Sequence, residues 1–335
     1  MNGYQLFVGI DISKNSLDVC LLEPTNASAP HYLKVSNDAA GIKTMLAAAA
    51  KTKVPLSQVL FCMEDTGVYG VPLCSGLQAK EASYAVVPAI HIQRSRGLKR
   101  GKTDKTDARD IALYASTHQH LISLYQLPEP DMVELRLLLS ERDKLLKAIA
   151  LFDSSAEAFG FVDKKMLSRL KKHNTKTSAL LAKQLKELEK TILELVAHNQ
   201  QIEQQSGLLQ SIPGIGIQTA LQLISYSRCF SSFSNWRQMA CYAGVAPFPY
   251  QSGSSVRGRT KVSHYAQKKL KALLNMAALS AKRHDPELRA YFERKVAEGK
   301  NKMSVVNAIR CKLLARAFAV INRNSPFVNL QKFSA

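Results

Sequence analysis

Apolar residues fall into short unbroken runs over the first third of the chain and into spacings of three and four beyond it. Leu6-Phe7-Val8-Gly9-Ile10-Asp11-Ile12 predicts a buried strand with an acid inside it. Ser16 to Leu22 predicts a second strand, and Ser13-Lys14-Asn15 supplies the turn of a hairpin. A third strand fits His31 to Ser36, and a helix fits Asp38 to Lys51, after the capping candidates Ser36 and Asn37. Val59-Leu60-Phe61-Cys62-Met63-Glu64 predicts a strand that ends on an acid. A helix over Gly67 to Lys80 and a strand over Ser83 to Pro88 follow. Three strands and then alternating helix and strand predict a mixed α/β sheet with an antiparallel first hairpin.

Leu127-Pro128-Glu129-Pro130 interrupts the chain and marks a boundary. Beyond it Met132, Leu135, Leu139, Arg142, Leu146 and Ile149 form one series, and Leu181, Leu185, Leu188, Ile192, Leu195, Asn199 and Ile202 form a cleaner one. The second reads as a coiled-coil seam of about three heptads in which the polar Asn199 sets register or partner number. Ser154 to Thr177 between them is basic and less regular. Two such helices make an antiparallel hairpin, a dimerisation device or both, and a plain helical-bundle core fits the same spacing. Gly207 suits the C′ position that ends the seam. Ile212-Pro213-Gly214-Ile215-Gly216, followed by a helix over Gln218 to Ser225, has the form of a helix-hairpin-helix. Its glycines permit a tight turn whose N–H groups, with the next helix N-terminus, can hold a phosphate; a purely structural turn is the alternative. Pro247 to Lys261 reads as a loop, with three serines, two glycines and three cations between Ser252 and Lys261. It is either a flexible linker or a place where amides and Arg257, Arg259 and Lys261 converge on a serine hydroxyl, with Lys268, Lys269 and Lys271 on the helix behind.

Charge separates these segments. The net charge is +20, and residues 206–335 hold 20 Lys and Arg against 4 Asp and Glu. Such a region is an electrostatic footprint for nucleic acid. A membrane-surface role lacks an amphipathic helix with an aromatic face, and a ribosome-like structural role sits poorly with the near-neutral first two thirds. Cys20, Cys62, Cys74, Cys229, Cys241 and Cys311 are scattered, with no zinc spacing, as small buried hydrophobes of a reducing compartment are. No signal peptide and no membrane-length apolar stretch stand out, so a soluble intracellular protein is expected.

Asp104-Lys105-Thr106-Asp107 places two carboxylates three apart inside a run of cations that includes Arg94, Arg96, Lys99, Arg100, Lys102 and Arg109. The sequence reads as helix from Asp107 onward. At helical spacing the two acids share a face, where they repel each other unless cations or a metal ion neutralise them. Hard oxygen ligands suit Mg²⁺ between carboxylates and phosphates. An ordinary solvated helix start also favours Asp through the helix dipole. Asp11 inside its apolar strand needs a cation or metal partner. With Glu64 and the Asp104/Asp107 pair it makes the acid arrangement of an RNase H-like fold.

Taken together, Val8-Gly9-Ile10-Asp11, Glu64-Asp65-Thr66-Gly67, Lys102 to Ala108, Ile212 to Gly216 and Gln251 to Gly258 resemble the DEDD transposases of bridge-RNA-encoding insertion sequences, a family that includes the Piv pilin-gene invertase. The resemblance implies an RNase H-like (RuvC-like) α/β N-terminal domain over 1–130 and a helical coiled-coil middle over 131–205. It implies a mainly α C-terminal transposase domain with a helix-hairpin-helix over 206–335. It carries over Asp11, Glu64, Asp104 and Asp107 as catalytic acids holding Mg²⁺, and Ser252 as the catalytic serine. Arg100, Lys102, Gly214, Gly216, Arg257, Arg259, Lys261, Lys268 and Lys269 are the nucleic-acid-binding candidates.

Target and donor double-stranded DNA, a non-coding guide RNA, a homo-oligomer (dimer or tetramer) and a cytoplasmic, nucleoid-associated location follow from the same likeness, with no membrane partner. Because Ser252 and the acids lie on different domains, the site is expected to assemble by folding back or between subunits. Two departures are acidic: Asp65 stands where a small uncharged residue is commoner, and Asp110 adds a further acid. Strand alternation sends Glu64 and Asp65 to opposite faces, which favours Glu64. A Piv-like DNA invertase, a RuvC-like nuclease using water, and a non-catalytic nucleic-acid scaffold are the rival functions.

Overall fold

Alternation along the first strand, β1 (Leu6–Ile12), organises everything around it. The computed structural model describes residues 3–24, 30–95, 103–154, 164–252, 256–262 and 266–329. They divide between two compact units, Met1–Leu127 and Pro128–Ala335. In the first, β2 (Ser16–Leu22) runs antiparallel to β1 and β3 (His31–Ser36) antiparallel to β2. β4 (Val59–Glu64) and β5 (Ser83–Val87) are parallel to β1, giving the order β3-β2-β1-β4-β5. This is the mixed sheet with an antiparallel first hairpin that the run lengths predict.

Even-numbered β1 residues, Leu6, Val8 and Ile10, pack into a layer with α1 (Ala39–Ala50) and α2 (Val71–Gln78). Phe7 points the other way, with Cys20, Leu60 and Cys62. There it meets α3 (Ala89–Ser95) and the buried Ala108, Ile111, Ala112 and Ala115 of α4 (Asp104–Thr117). Gly9 makes this second layer possible. A Cβ on Gly9 would lie 2.2 Å from the Ala108 carbonyl oxygen and 2.3 Å from the Ala112 nitrogen, so the helix backbone rests directly on the strand.

Two boundaries differ from expectation. The cap of α1 is Asp38, which accepts from the Gly41 N–H and from the Ser36 hydroxyl; Asn37 instead ties Ser13 to Tyr69. The segment expected as one helix from Gly67 starts with a 3-10 turn, Gly67–Gly70, before α2.

The second unit opens with α5 (Pro130–Ser154) and α6 (Lys164–His198). Cross-links run in antiparallel order: Asn199 to Asp131, Arg142 to Glu189 at 2.8 Å, and Ser178 to Asp153. An antiparallel hairpin therefore forms, and most of the stretch expected to be irregular up to Thr177 is α6 itself. Asn199 is not a seam residue. It caps α7 (Gln200–Gln210), accepting from the Ile202 N–H, because the helix breaks after His198. Gly207 lies inside α7, whose C-cap is Ser211.

After α8 (Ile217–Ser227) and α9 (Trp236–Tyr242) comes a two-stranded ribbon, β6 (Pro247–Ser252) and β7 (Val256–Val262). A loop was expected there. Prolines 247 and 249 argue against a central strand but are tolerated in a ribbon that has only edges. The chain ends in α10 (Lys268–His284), α11 (Pro286–Ala297) and α12 (Lys302–Arg323). Leu135, Leu139, Ile192 and Val196 at the base of the hairpin share one core with Leu209, Leu221, Leu274 and Leu313. Among the described residues no helix is long and apolar enough to cross a membrane.

Candidate active site

Strand alternation places Asp11 on the α4 face of the sheet, the face of Phe7 and Gly9. The β1–β2 register sets Asp18 directly opposite it, and Asp18 is 1% exposed. Glu64 follows Cys62 on the same face at the last position of β4. Asp65 is exposed and accepts from the Gly67 N–H, so it closes the turn after the strand.

The remaining acids come from the start of α4, which begins three residues before the helix expected from Asp107. Thr103 is the N-cap: its hydroxyl accepts from the Thr106 N–H, and the Thr106 hydroxyl accepts from the Thr103 N–H at 3.0 Å. This reciprocal capping box fixes Asp104 and Asp107 in the first turn, where the helix dipole favours negative charge. Asp107 is buried and Asp104 is largely exposed. Because Gly9 seats α4 against β1, that first turn is carried to the end of β1 where Asp11 lies.

The electrostatics of Asp11 record the result. Burial and then the like charges of Asp107, Asp104, Glu64 and Asp18 push its carboxyl from 3.8 up to about 6. The other three acids expected from the sequence are thus close enough to act on Asp11, and Asp18 is a fourth neighbour. Sequence reasoning passed over Asp18, although its signal, an acid between Leu17 and Val19 in an apolar strand, equals that of Asp11. Asp18 has its own neutralising partners: it accepts from the Tyr32 hydroxyl, and Lys34 Nζ stands 3.1 Å from it. Lys34 also reaches Asp104 at 3.7 Å, so one cation serves a buried and an exposed acid. The hydrogen bond to Asp18 raises the Tyr32 phenol to about 12. Asp110 is buried on α4 as well, but it is not among the charges that act on Asp11. Among the described residues no three carboxylate, imidazole or thiol groups converge into a ready-made metal cage.

The other expected residues lie elsewhere. Arg100 and Lys102 fall outside the described residues. Ser252 closes β6 by backbone, registered against Val256, and Arg257, Arg259 and Lys261 lie along β7. Gly214, with φ +94°, is packed: a Cβ there would lie 2.6 Å from Ala281 Cβ and 2.7 Å from the Ala277 oxygen. Its glycine requirement is explained by close approach to α10. Gly216 is exposed at the N-cap of α8 with open space around it. Lys268 is exposed, whereas Lys269 is ion-paired with Asp143 of α5, and burial lowers its pKa.

Two family models match the chain in sequence order. Residues 8–153 match the DEDD transposase model of the IS110 type, and residues 206–293 match the model of the transposase IS116/IS110/IS902 family. The pilin gene-inverting protein of Moraxella lacunata is 28% identical over 96% of this chain and 97% of its own, and that of Moraxella bovis 27% over the same shares. A solved structure of T. thermophilus RuvC in complex with a Holliday junction substrate aligns with 36% of this chain and all of its own, at 10% identity and a TM-score of 0.28. With both halves of the family's architecture matched in order, the chain belongs to the IS110-type DEDD transposases, enzymes that recombine DNA.

Proposed function

We propose that this transposase cuts and rejoins double-stranded DNA by two transesterifications, with Ser252 as nucleophile and Asp11, Glu64, Asp104 and Asp107 as the acids of a Mg²⁺ site. The observation that carries the reading is the gathering of those acids around Asp11, whose carboxyl is held near 6 by burial and by its acidic neighbours. Such repulsion is costly unless a cation is to be taken up. The spread of the donors suits Mg²⁺, which keeps several waters and leans on substrate phosphates rather than on a closed protein cage. When bound, the ion would supply polarisation of the scissile phosphate and stabilisation of the departing oxygen.

In the first step the Ser252 Oγ–P bond forms as the phosphorus bond to the leaving nucleoside oxygen breaks. The serine proton is released, and the leaving oxygen departs as a hydroxyl. In the second step a hydroxyl of another strand displaces Oγ, which regains a proton, so the bond energy is conserved. The open N-terminus of α8 at Gly216 suits a backbone phosphate, with Arg257, Arg259, Lys261 and Lys268 adding charge, as Arg100 and Lys102 would beside the acids. Gly214 and Lys269 contribute through packing and the Asp143 pair instead.

The proposal extends to the family's arrangement: an RNase H-like, RuvC-like domain over 1–130, a coiled-coil middle over 131–205, and a C-terminal transposase domain with a helix-hairpin-helix. It includes a non-coding RNA encoded beside the gene that pairs with target and donor DNA. It also includes a dimer or tetramer, for which the exposed Leu137, Leu151, Leu180 and Leu193 along the hairpin offer apolar surface.

The test is a covalent adduct. Wild-type protein with Mg²⁺ and DNA spanning its own element's ends should give a protein–DNA species that survives a denaturing gel. Ser252→Ala should lose both adduct and strand exchange, while Ser254→Ala and Ser255→Ala keep them. Cleavage without adduct would replace this reading by a nuclease that uses water. A second reading, inversion of a DNA segment, is favoured by the two Moraxella relatives matching over 96% of the chain. It shares the chemistry and differs only in product, so sites placed in inverted orientation on one plasmid distinguish it.

A further inference from the structure

At the base of the β6–β7 ribbon, wholly within the second unit, lies a groove of about 1070 Å³. It lies just above the roughly 300–1,000 Å³ of small-ligand clefts, a size suited to an extended ligand crossing it. Its walls carry three aromatic rings drawn from three elements: Trp236 of α9, Phe248 of β6 and Tyr291 of α11. Phe248 is 48% exposed. Two of the rings are already paired with cations. The Arg237 guanidinium lies 5.0 Å from the Trp236 ring, and Lys312 Nζ lies 4.7 Å from the Tyr291 ring. Lys271 adds a further positive charge, and among the described residues no acidic side chain lines the groove.

The floor adds an independent observation. Arg310 of α12 lines the groove and is 6% exposed, yet its hydrogen bonds go to two neutral amides, Asn307 and Asn275. Its Nε is buried with no hydrogen-bond partner. A buried guanidinium ordinarily sits against a carboxylate, and Arg310 is always charged. A site with cationic walls, ring faces and an uncompensated buried cation fits a ligand that is both anionic and aromatic. Unpaired nucleotides have that combination. A duplex offers phosphates but keeps its base faces stacked, whereas a single strand exposes both.

We propose that this groove holds unpaired nucleotides of single-stranded DNA, their bases on Trp236, Phe248 and Tyr291 and their phosphates on the surrounding cations. The source is DNA because the chain recombines DNA, and strand exchange must open the duplex to expose single strands. The inference rests on action upon DNA and not on the identity of the nucleophile.

Trp236 is the single tryptophan of the chain, so its fluorescence reports on the groove in the full-length protein. Titration with a thymidine oligonucleotide of about ten residues, within the usual site size, should quench it saturably. A duplex of equal length should need at least about tenfold more. Tyr291→Ala and Phe248→Ala should each weaken the single-strand midpoint about tenfold, in keeping with stacking losses, and the exposed substitution Arg237→Gln should weaken it less. Ser252→Ala should bind as wild type does, so failure of the covalent mechanism and failure of the groove are read separately. Equal midpoints for duplex and single strand would overturn the proposal, as would unaltered binding in both aromatic variants. A uridine oligoribonucleotide bound more than tenfold tighter than DNA would likewise overturn it, by making RNA the occupant.

Discussion

Replacing Asp11 by Asn removes one charge from the acid cluster while keeping its shape, and the metal-free protein should become more stable at neutral pH. The folded-state carboxyl is raised from 3.8 to about 6. Below about pH 4 Asp11 is protonated in both folded and unfolded chains, and it costs nothing. As pH rises from about 4 to about 6 the unfolded chain ionises first, so native stability falls; above about 6 the loss is complete. Two pKa units correspond to about 3 kcal/mol at full weight. Partial solvent access at the site reduces that to about 1.5 kcal/mol.

Urea denaturation in EDTA at pH 4.5 and pH 8 checks this. The two units are followed separately, since Trp236 fluorescence reports only on the second unit and circular dichroism on both. Asp11→Asn should gain about 1–2 kcal/mol at pH 8 and about a third of that at pH 4.5, and millimolar Mg²⁺ should narrow the gap by stabilising the wild type alone. A variant no more stable than wild type at pH 8, or equally favoured at both pH values, would falsify the account of Asp11 as a carboxylate held among repelling acids.

Further consequences follow from neighbouring residues. Gly9→Ala pushes a Cβ into the α4 backbone, so the first unit should lose about 3 kcal/mol or more, seen as an early circular dichroism transition, and recombination should vanish. Asp11→Ala, Glu64→Ala, Asp104→Ala and Asp107→Ala should each abolish recombination in a plasmid assay while DNA binding in gel shifts persists; Asp65→Ala should remain active, and an active Asp104→Ala would displace the site. Lys34→Met removes the cation shared by Asp18 and Asp104, so the first unit should unfold at lower urea than in the wild type at pH 8. Binding of the whole protein to duplex DNA should weaken steeply with salt, log K falling by about 0.9 per phosphate neutralised against log salt.

Legibility in the sequence tracked how local each cause is. β1, β2, β4 and β5 announced themselves as short, largely apolar runs ended by turn residues, β3 by its alternation of Leu33 and Val35 with polar neighbours, and Asp11 and Glu64 stood out as acids where apolar residues belong. Asp18 carried the same signal, but its place in the site depends on the register that sets it against Asp11, which no single strand contains. The helix start at Thr103 was readable in principle. Its partner at N3 is a threonine rather than the usual Glu or Gln, so the box was missed. Asn199 looked like a seam residue because spacing alone carries no mark of the helix break that turns it into a cap. The ribbon around Ser252 was hidden by prolines and glycine, which argue against strands in general but not against edges. The aromatic groove draws on α9, β6, α10, α11 and α12 and had no local signal at all.

The role of Gly9 shows why the acids belong to the fold rather than merely to the surface. Four carboxylates could be collected by loops, but loops would relax until the charges separated. Here Asp11 and Asp18 are fixed by six residue pairs of β1–β2 register. Glu64 is fixed by the end of β4, and Asp104 and Asp107 by a capped helix whose alanines lie against a glycine. None of these can retreat without breaking a ladder or lifting α4 off the sheet, each costing more than the repulsion it would relieve. Asp18, which accepts from Tyr32 and pairs with Lys34, sits farther along the sheet toward β3. The charges acting on Asp11 are all acids. The scaffold therefore pairs the flank of the cluster with Lys34 and holds Asp11 among acids whose charges bear on it, a distribution that suits a cation arriving with the DNA.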